Sequence, residues 1–228
     1  DMTGVAGLQR YEVSAYAKSN EAIDQLIEFA KDDAEMVRYL ALRLENSYKM
    51  HELSETVKSV ALLGNALEQG FKASEKRKAD LEGLLAEVAS YYHHEYEGTL
   101  NPATLDATEK IYRIYGDHFA DGKNAYVMRY NHALSLYQLE RWAEAAVIYE
   151  KVIDLQPSGK FAEPAAHRAL VCYIKQQNLN AETGTKAEDT NFCPVFPRLR
   201  ASRVTGEWAV DVAYLPAVRV CGVKPHMV

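Results

Sequence analysis

The chain is poor in the features that mark membrane proteins, nucleic-acid binders and common enzymes. No stretch approaches the roughly 18 uninterrupted apolar residues of a membrane-crossing helix, so no transmembrane span is expected. Positive charge is not in excess: 26 Lys and Arg stand against 32 Asp and Glu, a net charge of −6. There is thus no global attraction to nucleic acid or anionic lipid, although a local basic patch stays open. Cysteine is scarce, and Cys172, Cys193 and Cys221 lack metal-ligand spacing and leave at least one thiol unpaired. A glycine-rich phosphate loop, a Gly-x-Ser-x-Gly turn and a local cysteine–histidine signature are all missing. The opening DMTGVAGLQRYE has neither a basic start nor an apolar core, so it is not a retained signal peptide. No cofactor and no metal is expected.

What is present is helical periodicity. Leu8, Tyr11 and Ala15 start one stripe. Ala22, Ile23, Leu26, Ile27 and Ala30 make a second after the capping-like Ser19-Asn20-Glu21. Further segments are predicted at about 34–50, 52–70, 72–97, 102–120, 124–139, 141–155 and 161–177, which gives about nine antiparallel helices. The punctuation agrees. Asn101-Pro102 can open a helix, Asp121-Gly122 can end one, and Pro157 with Ser158-Gly159 can end another. β-Branched alternation is almost lacking before residue 180.

The densest pattern is YNHALSLYQLERWAEAAVIYEKVIDLQP, residues 130 to 157. Ala133 and Ala145 lie between bulkier neighbours at near-helical spacing. Two antiparallel helices can therefore approach closely, with Tyr137, Tyr149 and Val152 filling the space alongside. Proline then stops the second helix. The segment resembles a tetratricopeptide repeat without gaps, through Tyr130-Asn131, Ala133, Tyr137, Trp142, Glu144-Ala145, Tyr149 and Pro157. It departs from that pattern at His132, where leucine is usual and a polar atom would open into the groove, and at Glu140, where glycine is usual.

Weaker copies surround it. Thr56-Val57 follows Ala22-Ile23 by thirty-four residues, the family period, and FAEPAAHRALVCY repeats the alanine and tyrosine spacing with Ala169 and Tyr173. The helix beginning near Lys72 is longer than such a repeat allows. The tyrosine-rich pattern is also similar, more loosely, to helical-repeat proteins of bacterial cell-envelope assemblies, which favours the periplasm or cell envelope over the cytoplasm.

The resemblance implies an all-α solenoid over residues 1–179 that binds a partner peptide or subunit on its concave face, without catalysis. By the same resemblance, the lining positions are Val127, Tyr130, Asn131, Leu134, Tyr137 and Gln138. In the next unit they run from Pro164 to Tyr173, with Arg168 an anchor for a carboxylate. The basic residues that some family members use to clamp a peptide's C-terminal carboxylate are not evident here. An alternative reading is a structural subunit of a larger assembly.

Candidates for chemistry are few. His93 and Glu97 stand four apart on a helix and can share a metal, but no third ligand has useful spacing. HELSE, residues 51 to 55, lacks the second histidine of a zinc-peptidase helix. Asp117, His118 and Asp121 are explained by a helix end. KASEKRKAD, residues 72 to 80, reads as a charged helix start, or as a contact for a phosphate or an acidic partner.

Past residue 179 the composition shifts, and 180–228 is expected to be an irregular or extended tail. Trp208, Val210, Val212 and Tyr214 alternate as in a half-buried strand, and 217–223 can supply a second. Such a tail can join neighbours by strand addition or cover the last helix. Since the chain opens directly into helix and stops after half a repeat, whether it is a piece of a longer protein stays open.

Overall fold

A computed structural model describes residues 2–183. The expected tail strands, Cys193 and Cys221 lie outside the described residues. Eight helices and no strand occur among the described residues: α1 (Met2–Glu28), α2 (Asp33–Lys49), α3 (Leu53–Glu68), α4 (Glu75–Thr99), α5 (Pro102–His118), α6 (Ala125–Gln138), α7 (Trp142–Leu155) and α8 (Ala162–Thr183). The fold is all-α, with helices packed against their near neighbours in sequence. The backbone separates into two compact units, Asp1–Ala125 and Tyr126–Val228.

The count is eight rather than nine because α1 runs unbroken through Ser19-Asn20-Glu21. Those side chains do not cap a new helix. The Asn46 amide donates to Ser19 Oγ at 3.0 Å, and Asn20 donates to Ser47 Oγ at 3.0 Å. A tertiary hydrogen bond has taken the acceptor that a helix start would have used. At the other end, α8 continues to Thr183, four residues beyond the expected boundary.

In the first unit, α2 packs on α1 and α3, α4 packs on α5, and α3 also meets α5. Leu44, Leu63, Leu85 and Ile111 are fully buried, each contributing about 1.5–3 kcal/mol of transfer free energy. Polar side chains are buried with them. Arg43, 7 % exposed, reaches Asp24 Oδ1 at 2.6 Å and Ser59 Oγ at 2.5 Å, and Ser47 and Ser59 share a hydrogen bond of 2.8 Å. Because each member finds a partner, the network fixes how α1, α2 and α3 align.

Helix starts follow local chemistry. Asp32 Oδ1 accepts from the Glu35 amide at 2.8 Å, Ser74 caps α4, and Asn101 caps α5 with Pro102 in its first turn. After α5 the chain turns tightly. Buried Glu82 accepts from the Tyr115 hydroxyl, from the Asn124 amide at 2.9 Å and from Asn124 Nδ2 at 3.1 Å. A Cβ at Gly122 would lie 2.8 Å from Glu82 Cγ, so only glycine fits under that carboxylate.

In the second unit the core is apolar and aromatic. Ala133, Ala145, Ala146, Ala165, Ala166 and Ala169 are all fully buried, in one cluster with Leu136, Trp142, Tyr149 and Leu170. Ala133 and Ala145 are thus both in that core. His132 is 9 % exposed and turned inward, so it does not open a polar atom to a groove.

Helix α6 ends with the Arg141 amide donating to Leu136 O at 3.0 Å and the Glu140 amide to Tyr137 O at 3.2 Å. Glu140 adopts φ 59°, the left-handed conformation. The usual glycine has a physical reason here, and this chain places a carboxylate-bearing residue in a strained position. Helix α3 ends by the same pair of bonds, but with Gly70 at φ 83°.

Candidate functional site

The side chains that α6 does not commit to the alanine core form a half-buried stripe. Val127, Tyr130, Asn131, Leu134 and Tyr137 are half-buried, and Gln138 is exposed at the helix end. Tyr130 stacks on Phe161, ring centroids 4.3 Å apart and 7° from parallel, and meets Tyr149 edge-on at 5.8 Å. Tyr137 meets Trp142 edge-on at 5.0 Å. These rings are anchored by packing before any ligand arrives, which keeps the conformational cost of using them low.

Helix α8 brings two cations to that aromatic bed. The Arg168 guanidinium lies 5.8 Å from the Tyr137 ring centre. The Lys175 ammonium lies 5.6 Å from Tyr137 and 4.3 Å from Trp142. Seven residues separate them, two helical turns or about 10 Å on one face. Neither has a carboxylate within ion-pair distance among the described residues. Burial works against the charge on Arg168, but the Tyr149, Tyr130 and Tyr137 hydroxyls around it outweigh that effect and raise its pKa.

Tyr149 supplies the other unusual group. It is fully buried, and no group meets its hydroxyl at full hydrogen-bond geometry; Arg168 is close enough to act on it, chiefly through its charge. Burial pushes its pKa up, with Arg168 opposing. Burial also pushes the Cys172 thiol up to about 12, so it stays protonated and inert at neutral pH. Tyr173 is tied off, donating to Glu150 Oε1 at 2.6 Å.

The structure therefore brings Tyr130, Tyr137 and Arg168 into one cluster. Sequence reasoning missed Lys175, Trp142, Phe161 and the Tyr149 hydroxyl as members of it. The seven-residue spacing of Arg168 and Lys175 was the available signal.

The other candidates resolve differently. His93 is buried, its Nδ1 3.1 Å from the Tyr112 hydroxyl and its Nε2 3.8 Å from Glu97, and burial lowers its pKa. No group of three His, Cys, Asp or Glu that could hold a metal occurs among the described residues. His51, in the HELSE segment, precedes α3 in a left-handed conformation. His118 ends α5 with a buried Nε2 that has no hydrogen-bond partner. No helix among the described residues is long and apolar enough to cross a membrane. In comparisons with known proteins, no family model, no curated protein and no solved structure matches the chain.

Proposed function

We propose that the chain is a non-enzymatic interaction scaffold that holds an acidic segment of a partner protein on the face shared by α6 and α8. The observation that carries this reading is Arg168. It is a half-buried guanidinium without a carboxylate of its own, ringed by tyrosines and set beside a buried hydroxyl that lacks an acceptor. An incoming carboxylate supplies the missing counter-charge to Arg168, and Lys175 adds a second positive point on the same face. The rings give contact area around both.

The titratable groups of this face support binding rather than chemistry, since Cys172 and Tyr149 are both held in their neutral forms. The tetratricopeptide resemblance of residues 130 to 157, with Glu140 taking up the left-handed turn conformation, agrees with this role. Crosslinking mass spectrometry on the native protein, followed by affinity capture with wild type and an Arg168→Glu/Lys175→Glu variant of equal helicity, tests it. Partners crosslinked to α6 or α8 are lost from the variant. Equal retention of all of them argues against this face.

A further inference from the structure

The residues that α6 and α8 hold half-buried recur at a helical period. On α6, Val127, Tyr130, Leu134 and Tyr137 follow one another at steps of three, four and three. On α8, Arg168, Val171 and Lys175 step by three and four. This alternation is the seam along which one helix receives another, because the two steps together return a side chain to the same side of the helix. The core uses other residues: Ala133 and Leu136 of α6, and Ala165, Ala169 and Leu170 of α8.

Charge on the two helices has one sign where the seams run. Helix α6 contains no Asp or Glu, and α8 has none from Pro164 to Ala181. On α7, Glu144 accepts from Arg141 Nε at 2.7 Å and Glu150 from the Tyr173 hydroxyl at 2.6 Å. Arg168 and Lys175 form no ion pair among the described residues.

Spacing then separates two shapes of acidic ligand. Arg168 and Lys175 stand seven residues apart, about 10.5 Å along α8, and Tyr130 and Tyr137 repeat over the same interval on α6. An extended segment advances about 3.3 Å per residue and shows the same face at every second residue. Three such residues cover the interval but turn the second carboxylate to the opposite face. A helix covers it in two turns and keeps both carboxylates on one side.

We propose, resting on the acidic-segment reading above, that the segment docks on this face as an α-helix. Two of its carboxylates, seven residues apart, meet Arg168 and Lys175. Apolar side chains three and four residues after the first carboxylate lie along Tyr130, Leu134 and Tyr137.

The test uses the full chain and fluorescence anisotropy with labelled synthetic peptides of about 18 residues, long enough to form helix. The first has two glutamates seven apart, leucines three and four residues after each, and alanine and glutamine elsewhere. The second has the same composition with the glutamates five apart, on different sides of the helix. The third is the first with a proline between the glutamates, which breaks the helix. The first peptide binds saturably and more weakly as salt is added. The second and third bind about tenfold or more weakly. Arg168→Gln and Lys175→Gln each weaken the first by about fivefold or more, whereas Lys151→Gln, at an exposed position of α7, leaves it unchanged. Since Lys175 has no ion pair to break among the described residues, Lys175→Gln reports even where Arg168→Gln fails to fold.

Equal binding of the second or third peptide, with loss on Lys175→Gln, leaves the acidic face in place and overturns the helix. Binding that Lys175→Gln and Arg168→Gln leave unchanged, or no saturable binding at millimolar peptide, overturns it too. The capture experiment with native partners decides the face itself.

Discussion

The two units solve one problem, holding short helices together, with opposite chemistry. In the first, fully buried Ser47, Thr56, Ser59, Thr104 and Thr108 accompany Arg43 and Asn46, and hydrogen bonds between side chains join the helices. In the second, six fully buried alanines let backbones approach and aromatic rings fill what remains. Directional bonds select an alignment, whereas a wedge of small residues rewards closeness and tolerates sliding until the rings lock it. The contrast leaves its own trace in the candidate sites. The unit with the polar interior leaves, of its buried side-chain polar atoms, only His118 Nε2 without a partner among its described residues, and the unit with the apolar interior keeps its unpaired charge and the Tyr149 hydroxyl together beside its rings.

Paired substitutions break this comparison most sharply. Arg43→Ala removes the hub of the first network and costs about 3 kcal/mol, at the low end for a buried pair because Asp24 is 48 % exposed and can rehydrate. Ala145→Leu overpacks the second unit and costs about 2 kcal/mol or more. Hydrogen–deuterium exchange read peptide by peptide shows faster exchange in α1–α3 for the first variant and in α7 and α8 for the second. If either variant loosens the other unit equally, the two interiors are not separate in kind.

A smaller effect separates a satisfied hydroxyl from an orphan. The Tyr92 hydroxyl lies 3.0 Å from Thr56 Oγ1, which itself donates to Glu52 O at 3.0 Å, so Tyr92→Phe removes one buried hydrogen bond and costs about 1 kcal/mol. Tyr149→Phe deletes a group that bonds to nothing and leaves stability unchanged or slightly raised. Urea midpoints measure both, and a larger loss from Tyr149→Phe contradicts the orphan assignment. Smaller again is the helix end: Glu140→Gly relieves the left-handed strain and stabilises by about 0.5–1 kcal/mol, while the corresponding end of α3 already has Gly70 and offers no such gain.

The last contrast is with pH. Burial lowers the pKa of His93 below its ordinary 6.5, with Glu97 opposing. The unfolded chain therefore takes up the proton first. Stability from this residue is full above pH 6.5 and declines as pH falls from 6.5 toward the folded value. His93→Gln removes that slope, measured as urea midpoints on either side of 6.5.

Much of the helical succession was legible because apolar spacing and terminal residues report directly on local structure. The bounds of α2, α3 and α5–α7 fall within about two residues of the stripes. The failures share a cause. Ser19 and Asn20 carry the chemistry of a cap, and only their partners on α2, more than twenty-five positions away, show that it serves tertiary bonding. Tyr130, Tyr137 and Arg168 were found through a repeat period. Lys175 was not, because its role depends on the indole beneath it.

The ammonium of Lys175 resting on Trp142 also makes the α6–α8 face optically readable. A carboxylate that draws the lysine away changes the electric field across the indole, and so shifts the colour and yield of its emission. With Trp208 changed to phenylalanine, Trp142 is the sole tryptophan of the chain, and occupancy of this face becomes visible without an attached dye.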